Sequence, residues 1–163
     1  MTGDPVWTYM ATDYSYEELG SGAELELPET LSLNEGAPGP EMGKWGEEFV
    51  NHYLERQKRL GAIIDFVWIN NAQESGRPYD FEVHFADDNG IQTDYIEVKS
   101  TRLDRKEVFE ISIQQVKFAS EQKEHFHIFR VFNAGDKEQV KLIRITDLNM
   151  RMSQKQVKLC MLI

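Results

Sequence analysis

Cysteine and long apolar runs are scarce in this 163-residue sequence. The single cysteine, Cys160, excludes an internal disulfide framework and suits a reducing compartment. The longest apolar run, residues 62–69, is short and contains Asp65, so no segment is expected to span a membrane. The N-terminus has neither a basic segment nor an apolar stretch, which predicts an intracellular rather than a secreted protein. A P-loop and a dinucleotide-binding glycine pattern are also absent.

Basic residues are missing from the first 42 positions, which hold nine of the 28 acidic residues. Nine of the ten net negative charges of the chain therefore belong to this segment, and the rest of the chain is close to neutral. Several prolines and the lack of sustained periodicity predict a largely disordered acidic arm over residues 1–41. Such an arm is either a solvated linker or a mimic of nucleic acid that contacts the binding cleft of the same molecule.

Residues 42–163 have the periodicity of one α/β domain. Helices are predicted over 43–60 and from Ser112 to about Lys123, because Ser112-x-x-Gln115 matches a capping box. Strands are predicted at 62–70, 78–86, 93–102, 125–133, 140–145 and 156–163, with a further extended segment at 107–112. The order α-β-β-β-α-β, followed by extra strands, predicts a central mixed sheet flanked by helices.

Charged residues cluster on the hairpin predicted from the second and third strands. Its turn, Asp87-Asp88-Asn89-Gly90, lies midway between Asp80 and Glu97, so a symmetric hairpin places these two carboxylates opposite each other, roughly 5 Å apart. Because side chains alternate along a strand, Lys99 shares a face with Glu97. Like charges in this position destabilise a sheet, so either Lys99 or a divalent cation is expected to offset the repulsion.

Two interpretations of this pattern remain open from the residues alone. One is a buried ion pair between Lys99 and Glu97 or Asp80. The other is a site for Mg²⁺ or Mn²⁺, with Asp80 and Glu97 as ligands, the Val98 carbonyl as a third donor, and Lys99 holding or activating the attacking water. Glu47 lies at the edge of the apolar arc of the first helix, so it is expected to face the sheet and to reach the cation through water.

Six ordered blocks of residues carry a resemblance to a known family. They are 43–47 (Gly43-x-x-Gly46-Glu47), 68–70, 74–81 (ending Pro78-Tyr79-Asp80-Phe81), 96–101 (Ile96-Glu97-Val98-Lys99-Ser100-Thr101), 109–119 and 127–131. Over roughly residues 43–147 the sequence resembles the PD-(D/E)xK nuclease superfamily and, within it, the family named for the C-terminal domain of the NO VEIN protein.

The resemblance implies a restriction-endonuclease-like core and a magnesium-dependent nuclease that acts on DNA or RNA. It assigns metal ligation to Asp80 and Glu97, the catalytic lysine to Lys99 and the acid of the first helix to Glu47. Gln115 stands where related domains often have glutamate, so it is either a site residue or part of the helix cap. Because superfamily members also persist as scaffolds, the alternative is a non-cleaving module that binds nucleic acid or protein within a larger multidomain protein.

Basic residues near the predicted site are candidates for nucleic-acid contacts. Arg102, Arg105 and Lys106 directly follow the strand that carries Lys99, and such a run suits phosphate binding as well as it suits an ordinary charged loop. Arg130 lies on a later strand, where it either reaches phosphate or, as the sequence favours, pairs with a carboxylate of the core.

Overall fold

The fold was obtained as a computed structural model, which describes residues 6–11, 17–106 and 108–162. The described strands are β1 (Val6–Ala11), β2 (Glu17–Ser21), β3 (Asp65–Trp68), β4 (Phe81–Asp87), β5 (Gly90–Ser100), β6 (Val108–Ile111), β7 (Phe126–Phe132), β8 (Lys141–Thr146) and β9 (Val157–Leu162). The described α-helices are α1 (Gly39–Arg59), α2 (Ile113–Gln122) and α3 (Leu148–Ser153). The predicted strands are present, with their ends shifted by up to three residues.

A six-stranded mixed sheet, ordered β2-β8-β7-β5-β4-β3, forms the centre of the molecule. Strands β5 and β7 are parallel and the other neighbours are antiparallel, so the predicted mixed α/β class is confirmed. A second, antiparallel sheet has the order β6-β1-β9. No helix in the described part of the chain combines the length and apolar character needed to cross a bilayer.

The β4–β5 hairpin has the predicted register. Asp87 pairs with Gly90 across a two-residue turn, and Phe81 pairs with Ile96 at the other end. Gly90 has a φ of 111°, a conformation that side chains disfavour, which explains glycine at the end of this turn. Asp80 precedes β4 by one residue and its N–H donates to the carbonyl of Ile96, so it continues the same register towards Glu97.

Helix α1 covers one face of the large sheet through an apolar core. Its buried residues include Phe49 and Val50, which belong to the same cluster as Ile96 of β5 and Val131 of β7. Helix α1 begins at Gly39 rather than at the predicted residue 43, because a proline is tolerated in the first turn of a helix.

The opposite face of the large sheet is covered by α2, α3 and the small sheet. Ile128 of β7 and Ile145 of β8 pack there with Phe109 of β6, Ala119 of α2 and Leu148 of α3. Helix α2 begins after Ser112 with the predicted capping box intact. The short helix α3 is an element that the sequence analysis does not predict.

The predicted disorder of residues 1–41 differs from the structure over residues 6–11, which form β1, and over residues 17–41; residues 1–5 and 12–16 lie outside the described residues. Strand β2 pairs with β8, and Leu31 is only 2% exposed in the main core. Lys137 donates to the carbonyl of Pro28 at 2.6 Å, so basic side chains of the domain bind the main chain of this segment. The alternating pattern Glu24-Leu25-Glu26-Leu27 was the sequence signal for such one-sided packing, since both leucines contact the core.

Candidate active site

Asp80 and Glu97 are both buried at the open end of the β4–β5 hairpin, where the two residues are 6% and 8% exposed. The Asp80 carboxylate is held on both oxygens. The side-chain amide of Asn70 donates to Oδ1 at 2.7 Å and the main-chain N–H of Val98 donates to Oδ2 at 2.8 Å. Asp80 therefore has a fixed position beside β5.

Glu97 forms an ion pair with Lys99, whose Nζ lies 3.0 Å from Glu97 Oε1. This is one of the ion pairs left open by the sequence. Burial, reinforced by the neighbouring Asp80, raises the pKa of Glu97 to about 8, although Lys99 acts in the opposite direction. The Asp80 carboxylate is thus close enough to disfavour the ionisation of Glu97, as the hairpin register predicts.

Gln115 links the lysine to the start of α2. Its Oε1 accepts a hydrogen bond from Lys99 Nζ at 3.2 Å and another from the main-chain N–H of Ser112 at 3.0 Å. Ser112 Oγ in turn accepts from the N–H of Gln115. The helix cap and the contact with the site are therefore both present, and one amide oxygen serves both.

Glu47 projects from α1 towards the same region. The indole N–H of Trp68 donates to Glu47 Oε2 at 2.8 Å, which confirms that this acid faces the sheet. Burial is the main cause that raises the pKa of Glu47 to about 7, and the charge of Asp80 adds to it. Among the described residues, however, no three histidine, cysteine, aspartate or glutamate side chains form a group that could hold a metal ion.

The four basic candidates lie in different surroundings. Arg102 donates to the carbonyl of Asn34, Arg105 is exposed, and Lys106 is exposed beside the site. The preferred prediction for Arg130, a carboxylate partner in the core, finds no such partner among the described residues, and Glu107 lies outside them. Arg130 Nη2 donates to the carbonyl of Lys106 at 2.8 Å and its guanidinium lies over the rings of Phe109 and Phe132, because the surrounding core is aromatic.

Asn70 has a function in the site that the sequence analysis missed. Asn70 Oδ1 accepts from the N–H of Ser75 at 2.9 Å, which connects the end of its strand to the following loop. The same side chain also orients Asp80. The block at residues 68–70, which is part of the family resemblance, was the sequence signal that could have pointed to Asn70.

Comparison with known proteins places these residues in a family. The model of the family described as "Protein NO VEIN, C-terminal" matches residues 46–143, which is about three fifths of the chain and includes every residue of the site described above. The chain belongs to the NO VEIN C-terminal family. The resemblance at family level is thereby confirmed.

Two relatives from Arabidopsis thaliana are similar to this chain within the NO VEIN C-terminal region. The chain is 30% identical to Protein NO VEIN over 95 residues, which is 58% of this chain and 3% of that protein. It is 33% identical to Protein NO VEIN-LIKE over 95 residues, which is 58% of this chain and 14% of that protein. The match therefore spans a small part of each relative. No solved structure matches the chain.

Proposed function

We propose that this chain is a nuclease of the PD-(D/E)xK type that depends on a divalent cation and hydrolyses phosphodiester bonds in DNA or RNA. The observation that carries the proposal is the burial of two adjacent carboxylates, Asp80 and Glu97, with Lys99 3.0 Å from Glu97. Burying two carboxyl groups side by side is unfavourable for folding, because burial and the neighbouring carboxylate both oppose ionisation. Their presence is better explained by chemistry than by stability.

The arrangement of elements supports a restriction-endonuclease-like core. Helix α1, the meander β3–β5, helix α2 and strand β7 follow one another along the chain, with the carboxylates at the end of the central hairpin. The family match extends across all of these elements. The fold and the family support the scaffold, and the proposed activity rests on the residues of the site that this scaffold positions.

The donor atoms of the site fit Mg²⁺ or Mn²⁺. These cations prefer oxygen ligands, and Mg²⁺ commonly binds through one or two protein carboxylates while keeping several waters. Asp80 and Glu97 would hold the cation, with the carbonyl of Val98 as a further donor. When bound, it would supply positive charge to the scissile phosphate.

The surrounding side chains would position the reacting groups. Lys99 places an ammonium group beside Glu97, where it would attract a phosphate oxygen and hold the attacking water. Gln115 restrains that ammonium, and Asn70 restrains Asp80. The pKa of about 7 at Glu47 suits a group that exchanges a proton with water near neutral pH.

Turnover by the full chain tests this proposal. Labelled single- and double-stranded DNA and RNA would be incubated with the protein and Mg²⁺ or Mn²⁺, and Mn²⁺ binding would be measured by calorimetry. We expect Asp80→Asn and Glu97→Gln to reduce cleavage by about 100-fold or more, because each removes a charge from the metal site. Asp88→Asn, an exposed carboxylate in the turn of the same hairpin, is the matched control and should cleave normally.

Two outcomes would contradict the proposal. If the wild type binds Mn²⁺ no better than Asp80→Asn, the metal site is wrong. If metal and nucleic acid bind but no substrate is cleaved, the chain is the non-cleaving module considered as the alternative.

A further inference from the structure

Arg130 is a buried cation without an acidic partner among the described residues. It is 2% exposed, its Nη2 donates to a main-chain carbonyl, and its Nε has no hydrogen-bond partner within the described part of the chain. Burial alone lowers the pKa of Arg130 to about 10, so the guanidinium still carries its charge at neutral pH. A buried charge is costly unless an opposite charge compensates it. The described residues supply no such charge to Arg130, and an anion bound from solution would supply it.

The position of Arg130 places that charge next to the candidate active site. Arg130 pairs in register with Lys99 on the neighbouring parallel strand, so the two side chains leave the sheet on the same face. Both line a cleft of about 440 Å³ between the start of α1 and β6. Lys106 also lines it, and so does the exposed Glu110, which leaves an excess of two positive charges among the described residues that line the cleft.

The wall opposite the sheet favours an anion and leaves room for one. Gly39 and Gly43 of the first turns of α1 line the cleft, at the end of the helix that carries partial positive charge. A Cβ atom built on Gly43 would meet no other atom within 4 Å. The helix therefore approaches the cleft without filling it.

We infer that this cleft binds a phosphate group of the nucleic-acid strand, next to the phosphate held at Asp80, Glu97 and Lys99. The identification of the strand rests on the proposed function. Arginine matches the geometry and charge of phosphate, and Lys99 borders both places, so two neighbouring phosphates of one strand can occupy them together. The cleft contacts the backbone of the strand and reads no base sequence.

Substitutions at Gly43 separate charge from shape in this cleft. Gly43→Glu places a carboxylate in the open space, and Gly43→Gln places a neutral group of the same size there. In ¹⁵N-labelled full-length chain, titration with inorganic phosphate should shift the Nε–H resonance of Arg130 saturably. We expect the wild type and Gly43→Gln to bind alike and Gly43→Glu to bind about fivefold more weakly or worse, because a like charge then faces the anion.

The resonance of Arg130 can be identified by its loss in Arg130→Lys. If that variant does not fold, the proximity of the Arg130 guanidinium to the rings of Phe109 and Phe132 identifies the resonance instead. The absence of a saturable shift in the wild type, or an equal shift in Gly43→Glu and Gly43→Gln, would overturn the inference.

Anisotropy of a labelled single-stranded oligonucleotide, measured in EDTA to prevent cleavage, identifies the source of the phosphate. Tighter binding of a strand with a terminal phosphate, lost in Gly43→Glu, indicates a terminal monoester. Equal binding with and without that phosphate, again weakened in Gly43→Glu, indicates an internal diester. If Gly43→Glu and Gly43→Gln bind the strand equally, the cleft does not hold nucleic acid.

The two proposals fail separately. If phosphate shifts the Arg130 resonance but the chain cleaves no substrate, the phosphate-binding cleft is supported and the nuclease proposal is refuted. If Asp80→Asn abolishes cleavage but Gly43→Glu leaves it unchanged, the nuclease proposal is supported and the phosphate-binding cleft is refuted.

Discussion

Burial of Glu97, reinforced by the Asp80 carboxylate, opposes its ionisation in the protein without metal, although Lys99 acts in the opposite direction. The pKa rises from 4.5 to about 8 on folding, so the native state binds this proton more tightly than the unfolded chain does. The resulting contribution to stability is complete below pH 4.5 and is lost as the pH rises towards 8. A bound cation would reverse this preference, because it favours the ionised carboxylate.

Metal affinity should therefore depend steeply on pH. Binding requires Glu97 to release its proton, so Mn²⁺ affinity should increase by up to about tenfold per pH unit between pH 6 and pH 8 and level off above it. Calorimetry in two buffers of different ionisation enthalpy should report about one proton released per metal at pH 7. An affinity that stays constant over this range would show that Glu97 is not a ligand.

At the scale of elements, the contact between α1 and β5 determines how closely the helix acid approaches the hairpin carboxylates. Gly46 of α1 packs directly on Ser100, and a Cβ atom at this glycine would lie 1.7 Å from Ser100 Oγ. One residue further along α1 is Glu47, whose pKa responds to Asp80. The close packing of α1 on β5, which sets the position of Glu47, therefore requires glycine at position 46.

Alanine substitutions at two glycines of α1 should have opposite effects. Gly46→Ala should lower the free energy of unfolding by about 2 kcal/mol or more, because the added methyl group overlaps Ser100. Gly43→Ala, in open space, should raise it by about 0.5–1 kcal/mol through the better helix propensity of alanine.

Urea unfolding measures both effects, and Ser100→Gly combined with Gly46→Ala should recover part of the loss. Equal stability of the two alanine variants would mean that α1 does not pack closely on β5.

At the scale of the whole molecule, the acidic segment 17–41 is part of the fold. Strand β2 extends the large sheet beyond β8, and the leucines that follow it pack on the main core. Arg144 pairs with Glu17 and Arg56 donates to the carbonyl of Glu24, so described acids of this segment contact the domain away from the cleft beside Lys99.

Removal of a single leucine tests this integration. Leu31→Ala should lower the free energy of unfolding by about 2–4 kcal/mol, since it leaves a cavity in the main core. Leu103→Ala, at a side chain that is 55% exposed, is the control and should change it by less than about 0.5 kcal/mol. If Leu31→Ala unfolds at the same urea concentration as the wild type, the segment contributes nothing to stability.

The sequence by itself determined the hairpin and its pairing. Alternation along two strands and a short turn rich in aspartate, asparagine and glycine are local signals, and together they set Asp80 opposite Glu97. The capping box at Ser112 and the apolar stripe of α1 are equally local, so the helices could be predicted as well. Acidic side chains on facing strands were enough to suggest the chemistry of the site.

Only the tertiary structure decided which distant groups meet there. The contact of Lys99 with Gln115, the hydrogen bond from Asn70 to Asp80 and the aromatic surroundings of Arg130 join residues from separate elements. The periodicity of apolar residues in the sequence does not indicate such contacts, because they depend on how helices and sheets pack. The ordered conformation of residues 17–41 has the same origin. An acidic segment with few local preferences becomes ordered only because it pairs with β8 and packs on the main core.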